Sequence, residues 1–172
     1  MIARAIESNE GIFTALFSNH GLAGLSFPGN FPTEPADGFV DPKTLGWIKL
    51  TQTAVQKVLQ GEPLGELPPL DLSRGTEFQR RVWKAMRGIQ MGQTLSYGQL
   101  AAQIGAPKAV RAVGGACGAN PIPLLIPCHR VLAQNRRLGG FSGGLAWKKL
   151  LLNRERVVWL PPLRTNSKPL AA

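Results

Sequence analysis

Two short apolar runs near the start of the chain, Ile12 to Phe17 and Leu22 to Phe27, flank Ser18-Asn19-His20-Gly21. Runs of this length around a polar, glycine-ended turn predict a β-hairpin, with His20 a turn residue. A loop containing proline and glycine follows from Pro28 to Val40. Asp41-Pro42 then supplies a capping carboxylate with proline at the first helical position. From there Trp47, Ile48, Ala54, Val55, Val58 and Leu59 recur at three-to-four spacing, which predicts a helix to about Leu59. The stretch from Gly61 to Gly75 is rich in proline and glycine and reads as a linker.

Beyond the linker the pattern is helical. Thr76 with Gln79, and Ser96 with Gln99, each match a capping box in which a hydroxyl and a glutamine three residues on satisfy each other's backbone N–H. The first opens a helix with Phe78, Val82, Ala85 or Met86, and Ile89 inward. The second opens a short helix with Leu100 and Ile104 inward, stopped by Gly105. Pro107 is expected to begin a third helix that runs to about Ala119. Only a few residues around Gly105-Ala106 join the second and third helices, the layout of a helix-turn-helix. The expected fold class is α+β. It comprises a small N-terminal α/β sheet-and-helix domain with its linker (1–74), a mainly helical C-terminal domain with the helix-turn-helix (75–160) and a flexible tail (161–172).

The third helix places Ala109, Val110, Val113, Ala116 and Cys117 on one face, with Lys108, Arg111, Gly115 and Gly118 on the other and Gly114 beside them. Interior glycines weaken a helix, so their presence implies a surface that something approaches closely. A nucleic-acid backbone or groove and a tightly packed neighbouring helix satisfy that requirement equally well.

Charge bears on the choice. Residues 1–75 carry five Lys/Arg against eight Asp/Glu, a balance of −3, and residues 76–172 carry fifteen against two, a balance of +13. Glu77 and Glu155 are the acids of that second part. So lopsided a charge favours a polyanion partner. The cations are not gathered on one helix with a strongly apolar back, which disfavours a membrane surface. The remaining composition is that of an ordinary globular chain, 44% apolar and 17% charged over 172 residues. No apolar run reaches the ~18–20 residues of a membrane span. Glu7 and Glu10 interrupt any secretory signal, so a cytoplasmic, nucleoid-associated monomer is expected. Two cysteines make no disulfide scaffold.

The segment from Asn120 to Val131 concentrates the chemistry. An apolar stretch braced by Pro121, Pro123 and Pro127 delivers Cys128 beside His129 and Arg130. A cysteine alone is commonly a small buried hydrophobe. Adjacent His and Arg favour a thiolate, the nucleophilic form. Neighbouring residues do not face each other on regular helix or strand, so His129 would act through a bend or a bridging water. Cys117, Cys128, His20 and His129 lack paired metal-ligand spacing, and no metal site is expected. Three functions fit: group transfer to Cys128, a non-catalytic DNA-binding module gated by the thiol, and a cysteine hydrolase of a small substrate.

Pro127-Cys128-His129-Arg130-Val131 resembles the signature of the O6-alkylguanine-DNA alkyltransferases, and the resemblance extends along residues 75–156. It includes Gly75-Thr76-Glu77-Phe78-Gln79, Val82-Trp83, Ser96 through Ala101, Arg111-Ala112-Val113-Gly114, Asn120-Pro121, Gly139 through Gly144, and Lys148 through Glu155. The resemblance implies repair of double-stranded DNA containing O6-alkylguanine, and also O4-alkylthymine, by irreversible transfer of the alkyl group to Cys128. In that scheme His129 takes the thiol proton through water and Glu155 orients the imidazole. Tyr97 bonds the guanine and donates a proton as it leaves, and Asn120 pins the turn that presents the cysteine. Arg111 fills the stack behind a flipped nucleotide. Lys108, Ala112, Gly115, Gly118 and Ser96 are implied DNA contacts, and Phe141 and Ser142 join Tyr97 in the base pocket. No cofactor is implied, because the lesion brings the alkyl group. Gln90 and Arg156 depart from residues common in the family, Pro and Gly, and Phe141 replaces the Tyr of some relatives. The scarcity of Cys and His argues against the structural zinc of other relatives.

Overall fold

The computed structural model describes residues 1–29 and 40–161. The expected tail, and most of the loop expected between Pro28 and Val40, lie outside them.

The hairpin forms as β2 (Gly11–Ser18) and β3 (Gly21–Ser26), and a strand that the hydrophobic pattern did not signal, β1 (Ile2–Ser8), extends it to an antiparallel three-stranded sheet. Register runs from Ile2 opposite Phe17 to Ser8 opposite Gly11, with an irregularity at Leu16/Phe17 between β2 and β3. Helix α1 (Pro42–Gln60) starts where expected, the Asp41 carboxylate accepting from the Thr44 amide, and ends at Gly61 in the left-handed region. It lays Ala54, Val55, Val58 and Leu59 against the sheet side of the core. The linker is pinned to β3: the Leu22 N–H donates to the Pro69 carbonyl, the Asp71 N–H donates to the Leu22 carbonyl, and Ser18 Oγ donates to Asp71.

Both capping boxes are present, at the starts of α2 (Glu77–Arg87) and α3 (Tyr97–Gln103). A two-residue strand, β4 (Leu95–Ser96), precedes α3 and pairs in parallel with β5 (Val131–Leu132). Helix α4 (Val110–Gly118) completes the helix-turn-helix, but it starts later than Pro107. The reason lies in how α3 ends. Gly105 is left-handed, and the amides of Gly105 and Ala106 return to the carbonyls of Ala102 and Ala101, a Schellman cap. The Ala106 carbonyl then accepts from Ala109, so Pro107 and Lys108 occupy a turn, and regular helical bonding begins with Val113 N–H to Ala109. Val110, expected on the apolar face, is instead 40% exposed.

Helix α5 (Leu145–Arg154) is followed by Arg156, whose φ of 57° is a conformation that glycine adopts without strain. One cluster of buried apolar residues runs from Phe13, Phe17 and Leu22 of the sheet through α1 to Val82, Met86, Leu100 and Val113 of the helices. Among the described residues, no helix is long and apolar enough to cross a membrane.

Candidate active site

Cys128, His129 and Arg130 form a single 3-10 turn between the proline-braced loop and β5. That turn is the bend that adjacent Cys and His require. Asn120 fixes its approach: Nδ2 donates to the Ile126 carbonyl at 2.7 Å, and Oδ1 accepts from the Ile122 amide at 3.0 Å. Between these anchors Leu124 is left-handed at φ 74°, a non-glycine conformation that costs about 1 kcal/mol. The burial of Ile122, Leu124, Leu125 and Ile126 holds it there.

Behind the cysteine is a buried charge system. His129 Nε2 lies 2.7 Å from Glu155 Oε1. Glu155 also accepts from Arg130 Nη2 at 2.9 Å, from Arg130 Nε at 3.0 and 3.1 Å, and from the Gly92 amide at 3.1 Å. Burial pushes the Glu155 carboxyl up, but the hydrogen bonds and charges of His129 and Arg130 outweigh it and hold the group at about 2. A carboxylate this well supplied with donors keeps its charge. Nε2 therefore carries the imidazole proton toward Glu155, leaving Nδ1 as the acceptor nitrogen. Nδ1 is buried, with no hydrogen-bond partner among the described residues.

The sequence reading placed the Arg130 charge near the thiol. The guanidinium turns instead to Glu155 and to the Ile89 carbonyl at 2.6 Å. Burial dominates at Cys128 and pushes its thiol up, opposed by a hydrogen bond from Asn120 and by the Lys148 charge. His129 is pushed down, again chiefly by burial. The resting pair is thus thiol and neutral imidazole.

Cys128 opens on a cavity of about 140 Å³ lined by Tyr97, Gly114, Cys117, Gly118, Cys128, Gly140, Phe141 and Ser142. The structure thus brings together the expected pocket residues and the nucleophile, with His129, Glu155 and Asn120 behind. Tyr97 is the first residue of α3, set by the Ser96 cap. Its phenol is pushed up to about 12, first by burial and then by the nearby thiols, so it remains a donor. Gly139, at φ 63°, lets the chain pass the Tyr97 ring, where a Cβ would come within 3.2 Å. A larger polar cleft of about 310 Å³ lies among Glu7, Glu10, Gln56 and Arg154, well apart from the thiols.

Lys108, Arg111, Ala112, Gly115 and Gly118 are all exposed around α4, and Ser96 is half-buried at the α3 cap. A Cβ on Gly115 or Gly118 would meet nothing within 4 Å among the described residues, whereas one on Gly114 would reach the Tyr97 ring at 4.0 Å. Packing against a neighbouring helix therefore does not explain Gly115 and Gly118. Among the described residues, their surface is uncovered.

A family model described as the DNA-binding domain of 6-O-methylguanine DNA methyltransferase matches residues 77–157. The methylated-DNA–protein-cysteine methyltransferase of Mycolicibacterium paratuberculosis is 46% identical over 158 residues, which cover 89% of this chain and 91% of that protein. The chain belongs to the methylated-DNA–protein-cysteine methyltransferase family. The family member from Haemophilus influenzae is 50% identical over 95 residues, spanning 55% of this chain and about half, 53%, of that protein. Among solved structures, Mycobacterium tuberculosis OGT in complex with DNA superposes with a TM-score of 0.74 at 39% identity, over 90% of this chain and 92% of that one.

Sequence reasoning missed one central residue of this family member. Lys148 is fully buried, and its Nζ donates to the carbonyls of Val131 at 2.7 Å, Leu138 at 2.5 Å and Gly140 at 3.1 Å. One ammonium thus ties the strand after Cys128 to the glycine-rich wall of the pocket. Burial lowers it to about 8 against the opposing pull of Cys128 and Cys117. Among the described residues, no group of three or more His, Cys, Asp and Glu is placed to hold a metal ion.

Proposed function

We propose that this chain repairs double-stranded DNA by moving a methyl or larger alkyl group from O6 of guanine to Cys128, once per molecule. O4-alkylthymine is a second substrate of the same chemistry. The observation that carries the reading is a buried cysteine facing a base-sized cavity with a histidine–carboxylate pair behind it. This is the nucleophile, base and orienter arrangement in a cysteine form. The M. tuberculosis structure, solved with DNA and alike over nearly the whole chain, supports DNA as the partner.

The target atom is out of reach in a stacked duplex, so the nucleotide is flipped into the pocket. Arg111, exposed on α4 among small residues, fills the vacated place in the stack. Lys108, Ala112, Gly115, Gly118 and Ser96 lie against the DNA. In the pocket Tyr97 donates to the guanine ring, and Phe141 and Ser142 wall it. The Cys128 proton passes through a water to Nδ1 of His129, and Glu155 stabilises the imidazolium. The sulfur attacks the alkyl carbon, the carbon–oxygen bond breaks, and its electrons go to the departing guanine, protonated by Tyr97. No cofactor enters, since both the alkyl group and the leaving group come from the lesion. The thioether does not revert. In this reading residues 75–160 are the DNA-binding and acceptor domain, residues 1–74 a supporting domain, and the protein works at the nucleoid.

The test is intact and peptide mass after mixing with excess duplex carrying one O6-methylguanine. One methyl on the peptide containing Cys128, and none on Cys128→Ala despite retained lesion binding, is expected. DNA binding without an adduct would indicate a thiol-gated binding module, and repeated turnover of a small ester or amide a hydrolase.

A further inference from the structure

The pocket wall does not stand alone. Phe27, 4% exposed at the end of β3, packs edge-on against Phe141 with ring centroids 5.7 Å apart. It is itself locked by Trp147 at 4.9 Å and Phe13 at 5.7 Å. A Cβ on Gly143 would collide with the Phe27 ring. The wall segment that includes Phe141 and Ser142 is thus clamped between the cavity and a ring contributed by the N-terminal sheet. β3 also holds the segment that leads to Cys128, where the Leu25 amide donates to the Pro121 carbonyl at 2.8 Å, beside Asn120.

We infer that Phe27 is a specificity-determining positioning residue: it sets how far the Phe141–Gly143 wall stands from Cys128, and so how large an alkyl group the pocket accepts. Phe27 touches neither cavity nor thiol. It acts through Phe141 and the absent side chain of Gly143. The cavity is small, about 140 Å³, so a retreat of the wall by the depth of a ring edge admits a benzyl group that the intact wall crowds. A methyl group is accepted in either case. The inference rests on alkyl transfer to Cys128 and adds to it the size limit and its origin.

The experiment compares rates of Cys128 alkylation by duplexes carrying O6-methylguanine and O6-benzylguanine, read by peptide mass. The proteins are wild type, Phe27→Leu, Phe27→Ala, and a stability control, Val55→Ala on the buried face of α1. Phe27→Ala is expected to raise the benzyl-to-methyl rate ratio by about tenfold and Phe27→Leu by about threefold, the range that small changes in pocket volume produce. Val55→Ala should leave the ratio within about twofold, since loss of stability scales both rates together. If Phe27→Ala does not fold, Phe27→Leu carries the test. A ratio that is unchanged, lowered, or moved equally by Val55→Ala overturns the inference while leaving alkyl transfer standing. Absence of any adduct on wild-type Cys128 overturns alkyl transfer, and the inference with it.

Discussion

Glu155→Gln preserves shape and removes one buried charge, and its consequences can be worked from the geometry. The Glu155 side chain is 3% exposed and holds both His129 and Arg130. Its carboxyl is held at about 2 rather than 4.5, which corresponds to about 3 kcal/mol of stability at neutral pH. The variant also leaves the Arg130 guanidinium, 7% exposed, facing a neutral amide. Breaking a buried pair in this way costs about 3–5 kcal/mol. Because the folded-state value is depressed, the stabilisation is complete above the unfolded value of 4.5 and disappears as pH falls toward 2. Wild type should lose about 1 kcal/mol from this group by about pH 4 and about 2 kcal/mol by about pH 3. Glu155→Gln lacks that slope, so the gap between the two proteins is widest near neutrality and narrows in acid. Urea unfolding of the DNA-free proteins across this range measures it. Alkyl transfer by the variant should fall by about 10²-fold or more, since the imidazolium loses its counter-charge. A neutral gap below about 1 kcal/mol, or one that persists undiminished in acid, would refute the account of the Glu155 site.

Arg111→Ala should slow repair of duplex DNA by about tenfold or more while leaving reaction with free O6-methylguanine base unchanged, because only the duplex has a gap to fill; equal losses on both would remove Arg111 from that role. Asn120→Ala should lower stability by about 2 kcal/mol, since the Ile126 carbonyl and Ile122 amide lose their buried partner. Urea midpoints and the methylation rate should fall together, and a variant as fast as wild type would contradict the pinning of the cysteine turn. DNA affinity should fall by about 10²-fold or more between ~50 and ~200 mM salt, as phosphate contacts release counterions; fluorescence anisotropy showing a flat response would sink the argument from the basic second half.

Where local rules govern, the chain was legible. Asp41-Pro42, Thr76/Gln79 and Ser96/Gln99 cap helices because a hydroxyl or carboxylate three residues from an amide has few other partners. The adjacent Cys128 and His129 marked the chemistry for a similar reason, as a composition that packing alone does not need. β1 was missed because it alternates poorly: Ala3 and Ala5 separate Ile2, Arg4 and Ile6, and Ile6 is the buried one among them. What failed elsewhere was long-range pairing. Nothing local to Arg130 says that its partner is Glu155, and the His129–Glu155 pair was expected from the family resemblance and not from spacing. Lys148 lies in a helix with ordinary polar neighbours, and its burial follows from three carbonyls supplied by other segments. Phe27 read as the last apolar residue of a strand, and only the fold brings it to the wall.

The bare face of α4 has a consequence for how this protein can change. Gly115 and Gly118 have open space where a side chain would stand, so alanine at each would strengthen the helix by up to about 1 kcal/mol. Selection for thermal stability alone would therefore replace both. On the reading proposed above, the helix stays weaker than its surroundings require because the surface it offers to DNA is kept by function against the preference of the fold.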